Sequence, residues 1–256
     1  MFWEKKESRK QSNRRMDAKL ALLAAALLTS GLLTGCSSDD PSQNKELEPG
    51  LTTGAEWQQL KKVDALEMVL NETGDGGLVI SLPQFVVEED AVTAEAFADF
   101  NADLQDKVEE WQAWLDNRPE GEAARVITYA MDTENYLSVL VTEQRVYEEN
   151  AENEVSCYVF DKIVERAMDA DMAMTLAGAD DDIIAAALDD YISSMDYDGE
   201  ARWSAFSVDA YAMDENEQAV LYIGATVVIK DDEGNKERHQ EIFVMKGGEI
   251  IGRLVM

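Results

Sequence analysis

The chain has 256 residues, of which 53 are Asp or Glu and 22 are Lys or Arg, so its formal net charge at pH 7 is -31. A charge of this size repels nucleic acid and anionic lipid headgroups, and it attracts cationic ligands. The composition therefore argues against nucleic-acid binding. The length suffices for one domain with a hydrophobic core or for two small lobes.

A basic segment followed by a short apolar run lies near the start of the chain. The run extends from Leu20 to Leu33 and is 14 residues long. A bilayer-spanning helix needs about 20 apolar residues, so the run predicts a secretory signal rather than a permanent span. Met16 is an alternative translation start, but it would leave Lys19 as the one basic residue before the run, so we prefer the longer form.

The apolar run closes with Leu33, Thr34, Gly35 and Cys36, which resemble the lipobox of bacterial lipoproteins. In that family the cysteine thiol is acylated and the chain is cut before the cysteine. The resemblance implies a leader over residues 1–35, a membrane anchor through acyl chains on Cys36, and a location on the extracytoplasmic side of the cell membrane. An ordinary signal peptide or a short uncleaved anchor is the alternative.

The first 35 residues hold 7 basic and 3 acidic residues, so the mature chain would carry 15 - 50 = -35 charges. A polar stretch rich in Ser, Asp, Pro and Gly follows the cysteine and predicts a flexible tether over residues 36–54. The domain then covers residues 55–256, with two lobes at 55–195 and 196–256 as an alternative division. We place the second cysteine, Cys157, in the core as a free thiol.

The residue pattern predicts an α+β domain, in which an antiparallel sheet with a C-terminal meander packs against one long and one short helix. The long helix spans residues 92–116, because apolar residues at 97, 100, 104, 108, 111 and 115 follow helical spacing. Asp90 or Thr93 is its expected N-cap. The short helix spans residues 180–192, and residues 56–70 fit a helix or a helix leading into a strand.

Runs of β-branched and aromatic residues between polar turns predict the strands. The first predicted strand ends at Pro83, which cannot donate a hydrogen bond to a central ladder. The predicted strands are residues 78–82, 123–131, 136–147, 154–160, 203–213, 219–230, 238–246 and 249–255.

The order of these elements and several short motifs resemble one known family. The motifs are Ser81-Leu82-Pro83-Gln84-Phe85, Phe100-Asn101, Tyr158-Val159-Phe160-Asp161, Arg166, Asp169-x-Asp171, Leu188 and Tyr191-Ile192. They resemble the extracytoplasmic domain shared by RsiV-type anti-sigma factors and PdaC-type peptidoglycan deacetylases, over roughly residues 78–192. The resemblance implies an envelope domain that binds a ligand, lysozyme in one member. The family's Gly-Gly-Ala-His element is replaced here by residues 148–151, so the partner is not carried over.

Acidic clusters are the weak candidates for a metal site. Calcium prefers several oxygen ligands from one tight loop, but neither cluster has the spacing of an EF-hand. In so acidic a chain such clusters arise by chance, so we predict no metal or other cofactor. The clusters are Asp169, Asp171, Asp180, Asp181 and Asp182, and Asp231, Asp232, Glu233 and Asn235.

Single residues give few further indications of function. Trp114 lies off the centre of the helical stripe and is a weak candidate for a binding contact, although we prefer packing at the edge of the core. His239 has polar neighbours and is expected at the surface. The sequence contains no G-x-S-x-G, P-loop or H-E-x-x-H motif.

These observations favour a lipid-anchored, non-catalytic binding or sensing domain of the cell envelope. Its expected ligand is a cationic protein or peptidoglycan. Two alternatives stay open, namely an enzyme that acts on wall polysaccharide through a carboxylate pair and a structural lipoprotein without a soluble ligand.

Overall fold

The computed structural model describes residues 63–89, 91–118, 121–147, 150–231 and 233–254, together with four two-residue strands before them. These early strands are β1 (Glu46–Leu47), β2 (Leu51–Thr52), β3 (Ala55–Glu56) and β4 (Gln58–Gln59). The predicted leader and the residues of the lipobox lie outside this part of the chain.

The remaining elements follow from alternating or helical apolar patterns. The strands are β5 (Leu66–Gly74), β6 (Leu78–Phe85), β7 (Ala123–Asp132), β8 (Tyr136–Tyr147), β9 (Asn150–Asp161), β10 (Arg166–Ala167), β11 (Glu200–Met213), β12 (Ala219–Lys230), β13 (Lys236–Lys246) and β14 (Glu249–Leu254). The helices are α1 (Ala94–Asp116), α2 (Ala170–Ala177) and α3 (Asp181–Ser194). The predicted α+β class is confirmed, and the last four strands form the expected meander.

The described strands form two large sheets. Sheet I has the order β10-β9-β8-β7-β6-β5, with β4 beside β7, and only β6 and β7 are parallel within it. This parallel pair is possible because α1 connects the two strands across one face of the sheet. Sheet II has the order β1-β14-β13-β12-β11, and its strands β11 to β14 are antiparallel.

The layers of the domain follow from three groups of packed apolar side chains. The first group lies between α1 and sheet I, the second between sheet II and the helices α2 and α3, and the third between the two sheets. The order of layers is therefore α1, sheet I, sheet II, and then α2 with α3. Strand β8 is buried on both faces at residues 136–144 because it lies between α1 and sheet II.

Two backbone amides of β11 help to join the sheets. Met213 N–H donates to Ser138 Oγ at 3.0 Å, and Tyr211 N–H donates to Cys157 Sγ at 3.2 Å. Both acceptors lie on strands of sheet I, so polar bonds as well as apolar contacts hold the two sheets together. The two lobes of the alternative division are thus in direct contact. The helices α2 and α3, which that division assigns to the first lobe, pack on sheet II.

Helix α1 is held on sheet I by the predicted apolar stripe. Phe97, Leu104 and Trp111 are buried at 5%, 1% and 0% exposure. Asn101 fixes the helix to the end of β6, since its Oδ1 accepts from Phe85 N–H at 2.7 Å and its Nδ2 donates to Phe85 O at 2.8 Å. The Phe-Asn pair of the family-like motif therefore has a structural role here. Thr93 is the N-cap residue, without a side-chain cap bond.

Three expectations need correction. Of the two predictions for residues 56–70, the strand at the end is found, since β5 begins at Leu66, and Leu66, Met68 and Leu70 alternate toward the packed face of sheet I. The helical start is wrong where it is described, because β3 and β4 include Glu56 and Gln58–Gln59.

Strand β6 does not end before Pro83 but continues to Phe85. At Pro83 the strand has a neighbour, β5, on one side only, because β7 pairs with β6 at Val79 and Ile80. The missing N–H of Pro83 therefore costs no hydrogen bond between strands.

The third correction concerns α2, which was not predicted. The helix is only eight residues long, and this is too short for a periodic pattern to stand out.

Strand β1 pairs with β14, so the chain contacts the domain within the stretch that the sequence assigns to a tether. Within the described residues, none of the helices is long and apolar enough to cross a bilayer.

Candidate functional site

Two of the aspartates that the sequence offered as calcium ligands begin helices. Asp169 Oδ1 accepts from Met172 N–H at 2.8 Å at the start of α2, and Asp180 Oδ1 accepts from Ile183 N–H at 2.8 Å at the start of α3. Asp171, Asp181 and Asp182 lie in the first turns, where the helix dipole favours negative charge. Helix initiation explains these residues, and among the described residues no group of three or more His, Cys, Asp or Glu could hold a metal.

The second acidic cluster forms the turn between β12 and β13. Asp231 accepts from both nitrogens of Asn235 at 2.8 Å, and the side-chain bond from Asn235 lowers the pKa of this aspartate. The Asp231 carboxylate is therefore engaged in hydrogen bonds within the turn itself, and Glu233 lies in the same turn. Asp232 lies outside the described residues.

The aromatic candidates belong to the packed layers. Trp114 is half-buried, lies edge-on to Trp111 at 5.5 Å between ring centroids, and donates from Nε1 to Glu122 at 3.3 Å. This placement is the core-edge packing that we preferred. Trp203 packs against the helix layer of sheet II and donates to Asp189 at 2.7 Å. His239 is exposed on β13, as expected.

Cys157 is half-buried, and it packs against the third group of apolar side chains between the two sheets. Burial raises its pKa to about 12, so the reactive thiolate is almost absent at neutral pH. We expect that iodoacetamide at about pH 8 leaves the peptide carrying Cys157 unmodified in the folded protein and alkylates it fully in denaturant. Peptide mapping by mass spectrometry would measure this. Rapid alkylation of the folded protein would contradict this placement between the sheets.

A cleft of about 470 Å³ lies where the turn between β7 and β8 meets the turn between β11 and β12. Its lining includes the carboxylates of Asp132, Glu134, Glu215 and Glu217. Lys162 Nζ donates to Asp132 at 2.5 Å, so one of the four is neutralised by an ion pair. The cleft therefore gathers four carboxylates, of which at least Asp132 is already engaged in an ion pair.

Glu217 joins the two turns. Its carboxylate accepts from Asn135 Nδ2 at 2.5 Å and from Asn135 N–H at 2.9 Å, and these bonds lower its pKa below the ordinary value of 4.5. A general acid in a carboxylate pair needs a raised pKa, so Glu217 is unsuited to that role.

The lowered pKa of Glu217 predicts an acid-dependent contribution to stability. Because the folded pKa lies below the unfolded one, this contribution is fully present above about pH 4.5 and is lost as the pH falls through the folded pKa. Asn135→Ala should therefore destabilise the protein at neutral pH more than at about pH 3. Urea unfolding at both pH values would measure the difference. An equal effect at the two values would contradict the assignment.

The outward face of α1 carries a second candidate site, which the sequence analysis missed. Exposed carboxylates follow one another at intervals of four, four, three and four residues, on the side of the helix opposite the apolar stripe. We call these residues the acidic face. They are Glu95, Asp99, Asp103, Asp106 and Glu110.

Most of the acidic face is not neutralised by the protein itself. Glu110 pairs with Arg145, whereas the other four carboxylates have no basic partner in the part of the chain that the structure describes. Like charges one helical turn apart each destabilise a helix by about 0.2–0.5 kcal/mol. Burying Phe97, Leu104 and Trp111 contributes about 1.5–3 kcal/mol each, so the helix tolerates this repulsion. The signal was present in the sequence as the spacing of acids along α1.

A polar network fixes the middle of α1 to sheet I. Trp111 Nε1 donates to Glu143 at 2.6 Å, and Lys107 forms an ion pair with the same buried carboxylate. The guanidinium of Arg145 lies 4.4 Å from the centre of the Trp111 ring, which is cation–π geometry. The acidic face is therefore presented on a rigid support.

The comparisons with known protein families and with curated proteins found no match. The resemblance to the RsiV-type and PdaC-type extracytoplasmic domains accordingly stays a prediction from the motifs.

Proposed function

We propose that this protein is a lipid-anchored, non-catalytic binding domain of the cell envelope, and that it binds a cationic ligand through the acidic face of α1. The observation that carries this proposal is the row of four carboxylates without a basic partner among the described residues. The lipobox-like residues Leu33 to Cys36 supply the proposed anchor. The ligand is a cationic protein or a wall component that carries amino groups.

The spacing of the acidic face suits a cationic surface. Successive carboxylates lie about 5–6 Å apart along the helix, which is less than the Debye length of about 8 Å at physiological ionic strength. Their fields therefore add, and a cationic partner is attracted and oriented before contact. Because the helix is already ordered, little conformational entropy is lost on binding.

The second helix layer offers a matched surface for comparison. No Lys or Arg occurs between Arg166 and Arg202, and this stretch includes α2 and α3. Helix initiation explains many of the acidic residues in this stretch. Asp169 and Asp180 are N-caps, and Asp181 and Asp182 lie in the first turn of α3. The acids of α1 lie mainly beyond its first turn, so the helix dipole does not explain them.

The enzyme alternative would use the cleft between the two turns. That cleft is lined by four carboxylates, but Asp132 is paired with Lys162 and the pKa of Glu217 is lowered. Glu134 and Glu215 are therefore the remaining candidates for the general acid of a polysaccharide-cleaving pair, in which the second carboxylate works in its ionised form. Loss of wall-degrading activity in Glu134→Gln and Glu215→Gln variants would favour the enzyme, and the binding proposal expects no such activity in the unaltered protein.

Neutralising the acidic face tests the binding proposal. The variant Asp99→Asn/Asp103→Asn/Asp106→Asn should bind immobilised lysozyme or purified peptidoglycan at least about ten-fold more weakly at low salt, because three desolvated charge contacts are removed. Asp181→Asn/Asp182→Asn/Asp190→Asn makes the same charge change on α3 and should bind nearly as well as the unaltered protein. Retention on the two supports, at low and high salt, is the measurement.

Two outcomes would contradict the proposal. One is failure of the unaltered protein to bind either support at low salt, which would favour a structural lipoprotein. The other is an equal loss of binding in the two triple variants, which would show that net charge and not the acidic face determines retention.

A further inference from the structure

Basic side chains gather on one small part of sheet II. Residues 63–254 contain twelve Lys and Arg residues, and four of these lie close together on β11, β12 and β13. They are Arg202, Lys230, Lys236 and Arg238. A concentration of this kind in a chain of net charge -31 indicates a local surface of opposite sign.

The strand register places all four on the same face of the sheet. Val228 pairs with Arg202 on one side and with Arg238 on the other, and Lys230 pairs with Lys236. Val227 and Ala225 pack against α2 and α3, so residues 226, 228 and 230 point to the opposite face. This is the face that, farther along the strands, packs against sheet I.

The basic residues lie where sheet II extends beyond sheet I. Sheet I contacts this face at Ala210, Tyr222 and Val244, whereas the preceding residues of β11 and β13 are exposed. We call this uncovered area the ledge. Its exposed residues are Glu200, Arg202, Ala205, Ser207, Lys230, Lys236, Arg238 and Gln240, whereas Thr226 is half-buried and Val228 is buried among them at 7% exposure.

The cations of the ledge are not neutralised internally. None of the four forms an ion pair with a carboxylate in the described ranges, although five of the other eight basic residues do. Glu200 lies opposite Lys230 in the register, and Asp209 at the border accepts from Ser207 Oγ at 2.6 Å. The four cations outnumber these two carboxylates, so repulsion remains among the cations and an anionic ligand would relieve it.

The dimensions of the ledge suit a ligand with repeated anionic groups. Residues two strands apart are separated by about 10 Å, so two arginines can reach one anion above Val228. The row of Lys230 and Lys236 lies about 7 Å farther along the strands. Thr226 and Gln240, which bond to each other at 2.9 Å, add polar groups beside the cations. Two anionic groups about 7 Å apart would therefore contact both rows.

The shape of the ledge argues against a flat membrane as the ligand. Sheet I lies about 10 Å above sheet II and α1 lies above sheet I, so a bilayer would meet those layers first. The aromatic residues Trp203 and Phe206 point to the helix side of sheet II. The ledge therefore lacks their rings as a platform on which nucleic-acid bases could stack.

We propose that the ledge binds a linear phosphodiester polymer of the cell envelope, with Arg202 and Arg238 on one phosphate and Lys230 and Lys236 on the next. This inference rests on the extracytoplasmic location in the proposed function, but it does not rest on the acidic face. The polymer runs along the strand direction, because the two rows of cations are about 7 Å apart along the strands and successive phosphates must reach both rows.

Binding of a synthetic glycerol-phosphate oligomer to the full chain tests the proposal. Calorimetry at about 0.15 M salt is suitable, because the Debye length of about 8 Å makes the ledge more important than the distant acids. Arg202→Gln/Arg238→Gln should weaken binding about ten-fold or more. Arg166→Gln, an exposed arginine on β10, is the control and should leave binding unchanged.

Competing ligands distinguish the remaining explanations. Inorganic phosphate should bind much more weakly than the oligomer, and phosphatidylglycerol vesicles and a single-stranded oligonucleotide should not compete with it. Tighter binding of any of these three, no binding of the oligomer, or unchanged binding in the double variant would overturn the proposal. The triple variant of the acidic face should retain the oligomer, so failure of that site and failure of the ledge are distinguishable.

Discussion

Trp111→Ala is expected to lower the free energy of unfolding by about 3–5 kcal/mol. The Trp111 side chain is fully buried between α1 and sheet I, and its removal leaves a large cavity. The Glu143 carboxylate also loses the donor at 2.6 Å, and Arg145 loses the ring on which its guanidinium lies. Urea unfolding monitored by circular dichroism would measure the change.

Trp114 provides the matched control for this prediction. It is on the same helix and contacts Trp111, but it is only half-buried and its Nε1 bond to Glu122 is long at 3.3 Å. Trp114→Ala should cost about 1–2 kcal/mol, clearly less than the change at Trp111. Equal losses at the two positions would contradict the placement of Trp111 at the centre of this layer.

Asp214→Ala is expected to destabilise the protein by about 2–4 kcal/mol. Asp214 is fully buried at the end of β11, where it accepts from Asn216 N–H at 2.8 Å and Gln218 N–H at 2.9 Å and pairs with Lys246. Its removal leaves the Lys246 charge largely buried without its partner. The same denaturation measurement applies.

Asp231→Ala is the control, because Asp231 organises a hairpin turn in a similar way but at the surface. Asp231→Ala should lower the free energy of unfolding much less than Asp214→Ala does, since water can replace the missing acceptor at the surface. A loss at Asp231 as large as that at Asp214 would indicate that turn geometry, and not the buried charge pair, determines the effect.

The sequence was most informative where one face of an element is buried. Helix α1 was predicted to within two residues because six apolar side chains repeat at helical spacing over its length. The meander strands were also predicted closely, since polar turns separate them. The ambiguity at residues 66–70 arose because Leu66 and Leu70 fit helical spacing and also alternate with Met68 as in a strand.

Two features depend on contacts that no local pattern reveals. Helix α2 is too short for periodicity, although its cap Asp169 and Gly178 at φ 65° mark its ends. The ledge depends on the register of three strands, including bulges near Ser204 and Asp209 that keep Arg202 on the same face as Ala210. Sequence charge totals could not show that four cations meet there.

The candidate sites also differ in whether a local sequence pattern could have predicted them. The acidic face follows from the spacing of acids along one helix and could have been found in the sequence. The pairing of Asp132 with Lys162 and of Glu217 with Asn135 joins residues 30 and 82 positions apart. Their engagement became visible only in the folded chain.

The proposed anchor on Cys36 is the central claim, because it would place both proposed binding surfaces outside the cell. The most direct test is the mass of the protein purified from the membrane fraction of cells that produce it. The account predicts a chain that begins at Cys36 and carries acyl groups on that residue. An unmodified Cys36 thiol with residues 1–35 still attached would contradict it.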